Sequence, residues 1–149
     1  MTFKNFIAYV FGGGWQIYNK RYSAQVEAFS GYYKGRLWKI VSCNGIYPLV
    51  YIEGDEDVYG DDTPSPAHGG ITFRGHKYEF GMPKAIGYDY CHSGDFLMMK
   101  SKGTADRRSM LKLAEGKLHS LYDIRKNIRK TIDWLNEWSA EHGGLGGND

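Results

Sequence analysis

The last third of the chain has the clearest pattern of apolar and polar positions. Apolar residues recur there at steps of three and four, which places them on one face of a helix: Leu121, Ile124, Ile128, Ile132, Leu135 and Trp138. Ser120 and Asp123 have the spacing of an N-terminal capping box, and Gly143 ends the pattern. We therefore predict a long helix over residues 120–141, followed by a flexible glycine-rich tail over residues 143–149.

The middle of the chain has the composition of β-strands. Residues 37–41 and 46–52 are rich in β-branched and aromatic side chains, and Asn44 and Gly45 lie between them. Asn-Gly between two such runs predicts a β-hairpin. Pro48 favours an edge position or a bulge for the second strand, because proline cannot donate to a ladder. Two further runs predict short strands, over residues 71–73 and 85–90.

The sequence pattern of the N-terminal region predicts its secondary structure less clearly than that of the other regions. Residues 3–11 and 15–18 resemble two short strands separated by a triple glycine, whereas residues 22–30 fit a short helix or a strand equally well. Together these elements predict the α+β class, with a twisted, mainly antiparallel sheet packed by one long C-terminal helix. We expect residues 1–142 to form a single domain whose first 35 residues contribute the N-terminal strands.

The amino-acid composition argues against several classes of protein. The 149 residues are 42% hydrophobic and 24% charged, which argues against a disordered chain or a coiled coil. No apolar run approaches the ~20 residues of a membrane helix, and we see no secretion signal, so we expect a cytoplasmic protein without a membrane partner. The two cysteines, Cys43 and Cys91, are expected to be free thiols.

Charge is divided along the chain. Residues 1–52 hold six Lys/Arg and one acidic residue, residues 53–99 hold three and nine, and residues 100–130 hold ten and three. The pI of ≈ 8.4 lies below the ~9 that is typical of a strong nucleic-acid footprint. The basic flanks would nevertheless attract an anionic small molecule, for which a nucleotide is the leading candidate.

Two segments carry the candidate chemistry. His68 is followed by two glycines, and Asp89, His92 and Asp95 follow at three-residue spacing where a predicted strand ends. A carboxylate beside an imidazole orients the ring and raises its basicity. We predict that His92, oriented by Asp89 or Asp95, acts as a general base, with His68 as the acid or an electrostatic stabiliser.

The same four side chains leave other interpretations open. Each one alone is more simply explained as a turn or capping residue. Together they also supply nitrogen and oxygen ligands for a divalent metal such as Zn²⁺ or Mn²⁺, although the spacing does not require one. The small residues beside them are predicted to contact the ligand: Gly69, Gly70, Thr72, Ser93 and Gly94.

These motifs resemble a family of small, largely uncharacterised proteins of phages and bacterial genomes. The shared signature is His-Gly-Gly-Leu/Ile-Thr-Tyr/Phe, matched by residues 68–73, and Gly-Phe/Tyr-Asp-x-x-His-x-Gly-Asp, matched by residues 87–95. The similarity covers residues 36–140, whereas residues 1–35 depart from it. The resemblance brings no activity with it, but it implies a phage or mobile-element protein in the cytoplasm of a bacterial host cell.

Two functions follow as hypotheses. The first is a phage counter-defence hydrolase whose His/Asp site acts on a nucleotide or phosphodiester. The second is a non-catalytic binder that sequesters a nucleotide signal or inhibits a host defence protein, such as a CRISPR or other nuclease complex.

Overall fold

The computed structural model describes residues 2–18, 25–54, 64–97 and 116–143. Its fold is α+β, as predicted: a five-stranded antiparallel sheet and a long C-terminal helix. The elements are α1 (Phe3–Phe11), α2 (Gly14–Tyr18), β1 (Gln25–Tyr33), β2 (Arg36–Cys43), β3 (Tyr47–Glu53), β4 (Phe73–Lys77), β5 (Met82–Asp89) and α3 (Leu121–Trp138). A 3₁₀ turn, Tyr78–Phe80, joins β4 to β5, and a π-helical turn, Ser139–Gly143, extends α3.

The sheet has the strand order β1-β2-β3-β5-β4, with every neighbouring pair antiparallel. The predicted hairpin connects β2 and β3, and Asn44 and Gly45 both have the left-handed backbone that this turn demands, with φ of 57° and 70°. The edge position expected from Pro48 is wrong, because β3 is the central strand. Pairing of β3 with β5 starts only at Leu49, so the missing N–H of Pro48 removes no bond from that ladder.

The C-terminal helix packs against one face of this sheet. Ser120 and Asp123 form the predicted capping box. The apolar stripe of α3 is buried as its spacing predicted, in a core with residues of the three central strands: Ile124, Ile128, Ile132 and Leu135 against Ile40, Val50, Ile52, Ile86 and Tyr88. A smaller cluster on the opposite face contains Val41, Tyr51, Met82 and Ala85.

The two N-terminal strands that we predicted are wrong, because residues 3–11 and 14–18 are helical. Thr2 caps α1 by accepting a hydrogen bond from the backbone of Asn5. Tertiary packing decides the conformation of this nearly all-apolar segment: Ala8 and Tyr9 contact the core, whereas Phe3 and Phe11 are more than three-quarters exposed. The ambiguous region 22–30 belongs in part to a strand, β1, from residue 25 onward.

Some predictions fall on residues outside the described part of the chain. These are residues 22–24 of the segment that fits a helix or a strand, and the predicted tail beyond Gly143. Among the described residues, no helix has the length and apolar character needed to cross a bilayer.

Candidate functional site

The side chain of Asp95 is the centre of a polar cluster at the end of the sheet. Asp95 is only 4% exposed, and its carboxylate accepts three sets of hydrogen bonds. Nε2 of His68 lies 2.9 Å from both oxygens, Nε2 of His119 lies 3.0 Å from Oδ1, and the backbone N–H of His92 lies 3.0 Å from Oδ2. Because an ionised carboxylate can only accept, both imidazoles carry a proton on Nε2 in this arrangement.

The environment of the cluster shifts two of its pKa values. Burial alone would raise the pKa of Asp95, but the hydrogen bonds from His68, His92 and His119 outweigh burial and hold that pKa below its usual value. Burial is also the main cause of the lowered pKa of His119, and its hydrogen bond to Asp95 opposes that effect. At neutral pH we therefore expect an ionised Asp95 beside a neutral His119.

Backbone pairing brings His119 to Asp95 from 24 positions along the chain. The segment around Asp95 runs parallel to the segment before His119: Phe96 N–H donates to the carbonyl of Lys117 at 2.9 Å, and Lys117 N–H donates to the carbonyl of Gly94 at 2.7 Å. The capping box at Ser120 then begins α3 directly after His119. The start of the helix and this short pairing together fix the position of His119.

Two asparagine side chains hold the histidine-bearing segments in place. Asn5 of α1 donates to the carbonyl of Gly116 at 2.8 Å and accepts from the N–H of Leu118 at 2.9 Å. Asn127 of α3 donates to the carbonyl of Pro66 at 2.8 Å and accepts from the N–H of His68 at 3.0 Å. Each amide thus satisfies two loop backbone groups that lie two residues apart, as a neighbouring strand would. We call Asn5 and Asn127 the asparagine clamps.

The second predicted pair, Asp89 and His92, lies beside this cluster. Nε2 of His92 is 3.3 Å from Oδ1 of Asp89, but it is buried and not aligned for a hydrogen bond. The same carboxylate oxygen accepts from the N–H of Cys91 at 3.0 Å. The His92 and His68 rings have centroids 5.7 Å apart, and the His68 ring stacks on Tyr90 at 4.2 Å. The structure therefore brings all four predicted side chains together.

A cavity of about 220 Å³ opens on one side of the cluster. Its lining includes both histidines that contact Asp95, and the positions on α3 have the i, i+3, i+4, i+7 spacing of a single helix face. The lining residues are His68, Tyr90, Lys117, His119, Asp123, Lys126, Asn127 and Lys130. His92 is not among them, and its backbone rather than its imidazole contacts Asp95.

Gly69 lies against His92, and the carbonyl of Gly94 accepts from Lys117. None of the residues predicted to contact a ligand lines this cavity: Gly69, Gly70, Thr72, Ser93 and Gly94. The site residue that sequence reasoning missed is His119, which no motif spacing connects to the other four. Its hydrogen bond to Asp95 depends on the parallel pairing of two short segments, for which the sequence has no recognisable signal.

Gly69 and Gly70 offer a test of how His92 is held. Both have left-handed backbones, with φ of 69° and 83°, so alanine at either position should cost about 1–2 kcal/mol. A Cβ on Gly69 would also lie 2.2 Å from Nε2 of His92, whereas a Cβ on Gly70 would meet nothing within 4 Å. We expect Gly69→Ala, but not Gly70→Ala, to change the NMR signals of the His92 imidazole. Identical His92 signals in the two variants would contradict this packing.

Three ligand atoms of the cluster lie close enough to share a metal ion. A ring nitrogen of His68, a carboxylate oxygen of Asp95 and a ring nitrogen of His119 lie within 4.8 Å of one another.

Comparisons of the chain with models of protein families, with curated proteins and with solved structures found no match.

Proposed function

We propose that the protein binds a phosphate ester, such as a nucleotide or a phosphodiester, in the cavity beside Asp95 and hydrolyses it. One observation carries this proposal: two imidazoles held by one buried carboxylate form part of the wall of a cavity that three lysines also line. Neither the histidines nor the lysines alone would favour a phosphate ester over other ligands.

The charge of the cavity favours an anion. Lys117, Lys126 and Lys130 are exposed, and none of them forms an ion pair with a carboxylate of the described residues. The acidic lining residue, Asp123, is engaged in the capping box of α3. Ammonium groups on one side of a small cavity raise the local concentration of anions and bind phosphoryl oxygens through charge-assisted hydrogen bonds.

The size of the cavity limits what it encloses. At about 220 Å³ it is smaller than the ~300–1,000 Å³ of pockets that enclose a drug-sized ligand. It therefore fits a phosphate group and the atoms next to it, with the rest of the substrate outside. The ring of Tyr90 already stacks on His68, so we assign it no role in stacking on a base.

The proposed reaction is the hydrolysis of a phosphate ester bond. A water molecule gives up a proton as its oxygen forms a bond to phosphorus, the ester P–O bond breaks, and the leaving oxygen takes up a proton. The lysines would stabilise the negative charge that develops on the phosphoryl oxygens. We place the activation of the water at the cluster of His68, Asp95 and His119, because His92, the general base predicted from the sequence, does not line the cavity.

The biological setting is part of the proposal. The resemblance implies a phage or mobile-element protein, and we propose that such a protein would act against host defence, with a nucleotide signal of the host as its substrate. The alternative is that the same cavity sequesters such a signal without cleaving it, or that the protein inhibits a host defence protein.

Incubation with a panel of nucleotides and phosphodiesters, followed by chromatography of the small molecules, tests the proposal. We expect a bound ligand whose ester is cleaved by the wild-type protein. Lys126→Gln and Lys130→Gln should each weaken binding about tenfold, the equivalent of ~1.4 kcal/mol. His119→Gln should lower turnover at least ~100-fold while the ligand still binds.

Arg129→Gln is the matched control, because it removes one positive charge from an exposed position of the same helix outside the cavity lining. Its binding should stay within about twofold of wild type, since the side chain does not line the cavity and solvent and salt screen an exposed charge. Recovery of the intact ligand from a tight complex would show that the protein sequesters the ligand and does not hydrolyse it. Equal losses in Arg129→Gln and Lys126→Gln, or no binding of any anion, would refute the cavity as the site.

A further inference from the structure

The ligand atoms of the cluster converge as the donors of a metal site do. His68 and His119 both direct Nε2 at Oδ1 of Asp95, at 2.9 and 3.0 Å. These side chains come from three separate chain segments, and two neutral imidazoles with one carboxylate are a ligand set for borderline transition metals. We propose that His68, Asp95 and His119 bind one divalent transition-metal ion of the zinc class.

The distances support this inference. In a tetrahedral zinc site with bonds of about 2.0–2.1 Å, neighbouring ligand atoms are separated by ~3.3 Å. The two nitrogen–oxygen separations at Asp95 are 0.3–0.4 Å shorter than this value, about 2.9 to 3.0 Å. The three ligand atoms lie within 4.8 Å of one another, so side-chain rotations that bring both imidazoles to one ion would replace the N–H···O hydrogen bonds by bonds to that ion. Each imidazole would then carry its proton on Nδ1.

The surroundings of Asp95 are organised for this role. Oδ2 accepts the backbone N–H of His92, which leaves Oδ1 for the ion and fixes the plane of the carboxylate. Stacking on Tyr90, with an angle of 6° between the rings, fixes the plane of His68. The asparagine clamps hold the backbone on which both histidines stand. Ligands held in this way lose little conformational freedom when the ion binds.

The cavity supplies the open coordination position. Catalytic zinc sites have three protein ligands and one position for water or substrate. One carboxylate, two neutral imidazoles and a divalent ion have a net charge of +1, and the lysines add further positive charge. We therefore expect the fourth ligand to be an anion or a hydroxide, and a metal-bound water loses its proton far more readily than a free one. The role of the metal ion in hydrolysis rests on the proposed function. The binding of the ion rests only on the geometry of the cluster.

Titration of the metal-free protein with Zn²⁺, and separately with Co²⁺ followed by its visible absorption, tests the inference. We expect one ion per chain. Asp95→Asn and His119→Gln should each weaken binding by more than the ~10–100-fold that loss of an outer partner causes. The matched control is His76→Gln, which removes a histidine stacked on Tyr78 outside the cluster and should bind as wild type does.

The outcomes separate this inference from the proposed function. No stoichiometric ion in the wild-type protein, or equal affinity in wild type and His119→Gln, would overturn the metal site. If no ion binds and the protein still cleaves a phosphate ester in the presence of a chelator, the proposed function stands and only the metal site is wrong. If one ion binds as expected but no phosphate ester does, the metal site stands and the proposed function is wrong.

Discussion

Replacement of Asp95 by alanine should lower the free energy of unfolding by about 3 kcal/mol or more. The carboxylate accepts hydrogen bonds from two imidazoles and one backbone N–H, and each buried donor left without a partner costs ~1–3 kcal/mol. The side chain of His119 is itself only 13% exposed, so water cannot fully replace the lost acceptor there. Urea unfolding of the metal-free protein at neutral pH measures the effect.

Asp95→Asn is the control for this prediction. It keeps the shape of the side chain and one acceptor oxygen, but its amide must face at least one of the donors. We expect a loss smaller than that of Asp95→Ala but still measurable. A loss below about 1 kcal/mol in the alanine variant would show that the cluster contributes little to folding, and that its hydrogen bonds are weaker than their geometry indicates.

Gly116→Ala should be comparably damaging, because the backbone of the Asp95 segment occupies the space that a side chain would need. A Cβ at this position would lie 2.4 Å from the carbonyl oxygen of Asp95 and 2.8 Å from the nitrogen of Phe96. Backbone atoms cannot rotate away, so the two paired segments must separate. We expect a loss of about 3 kcal/mol, at the upper end of what overpacking costs, and a displaced His119.

Gly14→Ala provides the comparison for Gly116→Ala. Its Cβ would come no closer than 3.5 Å to atoms outside its own helix and chain neighbours, and its backbone lies outside the left-handed region. The free energy of unfolding of that variant should change by less than about 1 kcal/mol. Combined urea unfolding and histidine NMR of the two variants distinguishes a clash at the paired segments from a general sensitivity to alanine. Similar small losses in both would contradict the close approach at Gly116.

The elements that could be predicted from the sequence are those whose patterns are local and one-sided. The stripe of α3 and the Asn44-Gly45 hairpin have a single physical interpretation, and the structure has both. The segment over residues 3–11 is apolar at most positions, so its period does not distinguish a helix from a strand. In the structure the segment is a helix that Thr2 caps and in which Asn5 is buried.

The residues of the candidate site could likewise be predicted from the sequence only in part. Three-residue spacing at the end of a predicted strand indicated that His92 lies beside a carboxylate. In the structure its Nε2 is 3.3 Å from Asp89 and its backbone N–H donates to Asp95. The distant partner His68 was recognised by its glycine neighbours. His119 could not be found, because its position depends on which two short segments pair, and such pairing leaves no repeated pattern in the sequence.

The asparagine clamps have a consequence for how acidity acts on this protein. Amide side chains do not ionise, so Asn5 and Asn127 anchor the loops of both histidines identically in acid and in base. A bell-shaped or sigmoidal rate profile would therefore reflect chemical changes of the rings, the carboxylate or the bound molecule, rather than release of the loops that carry them.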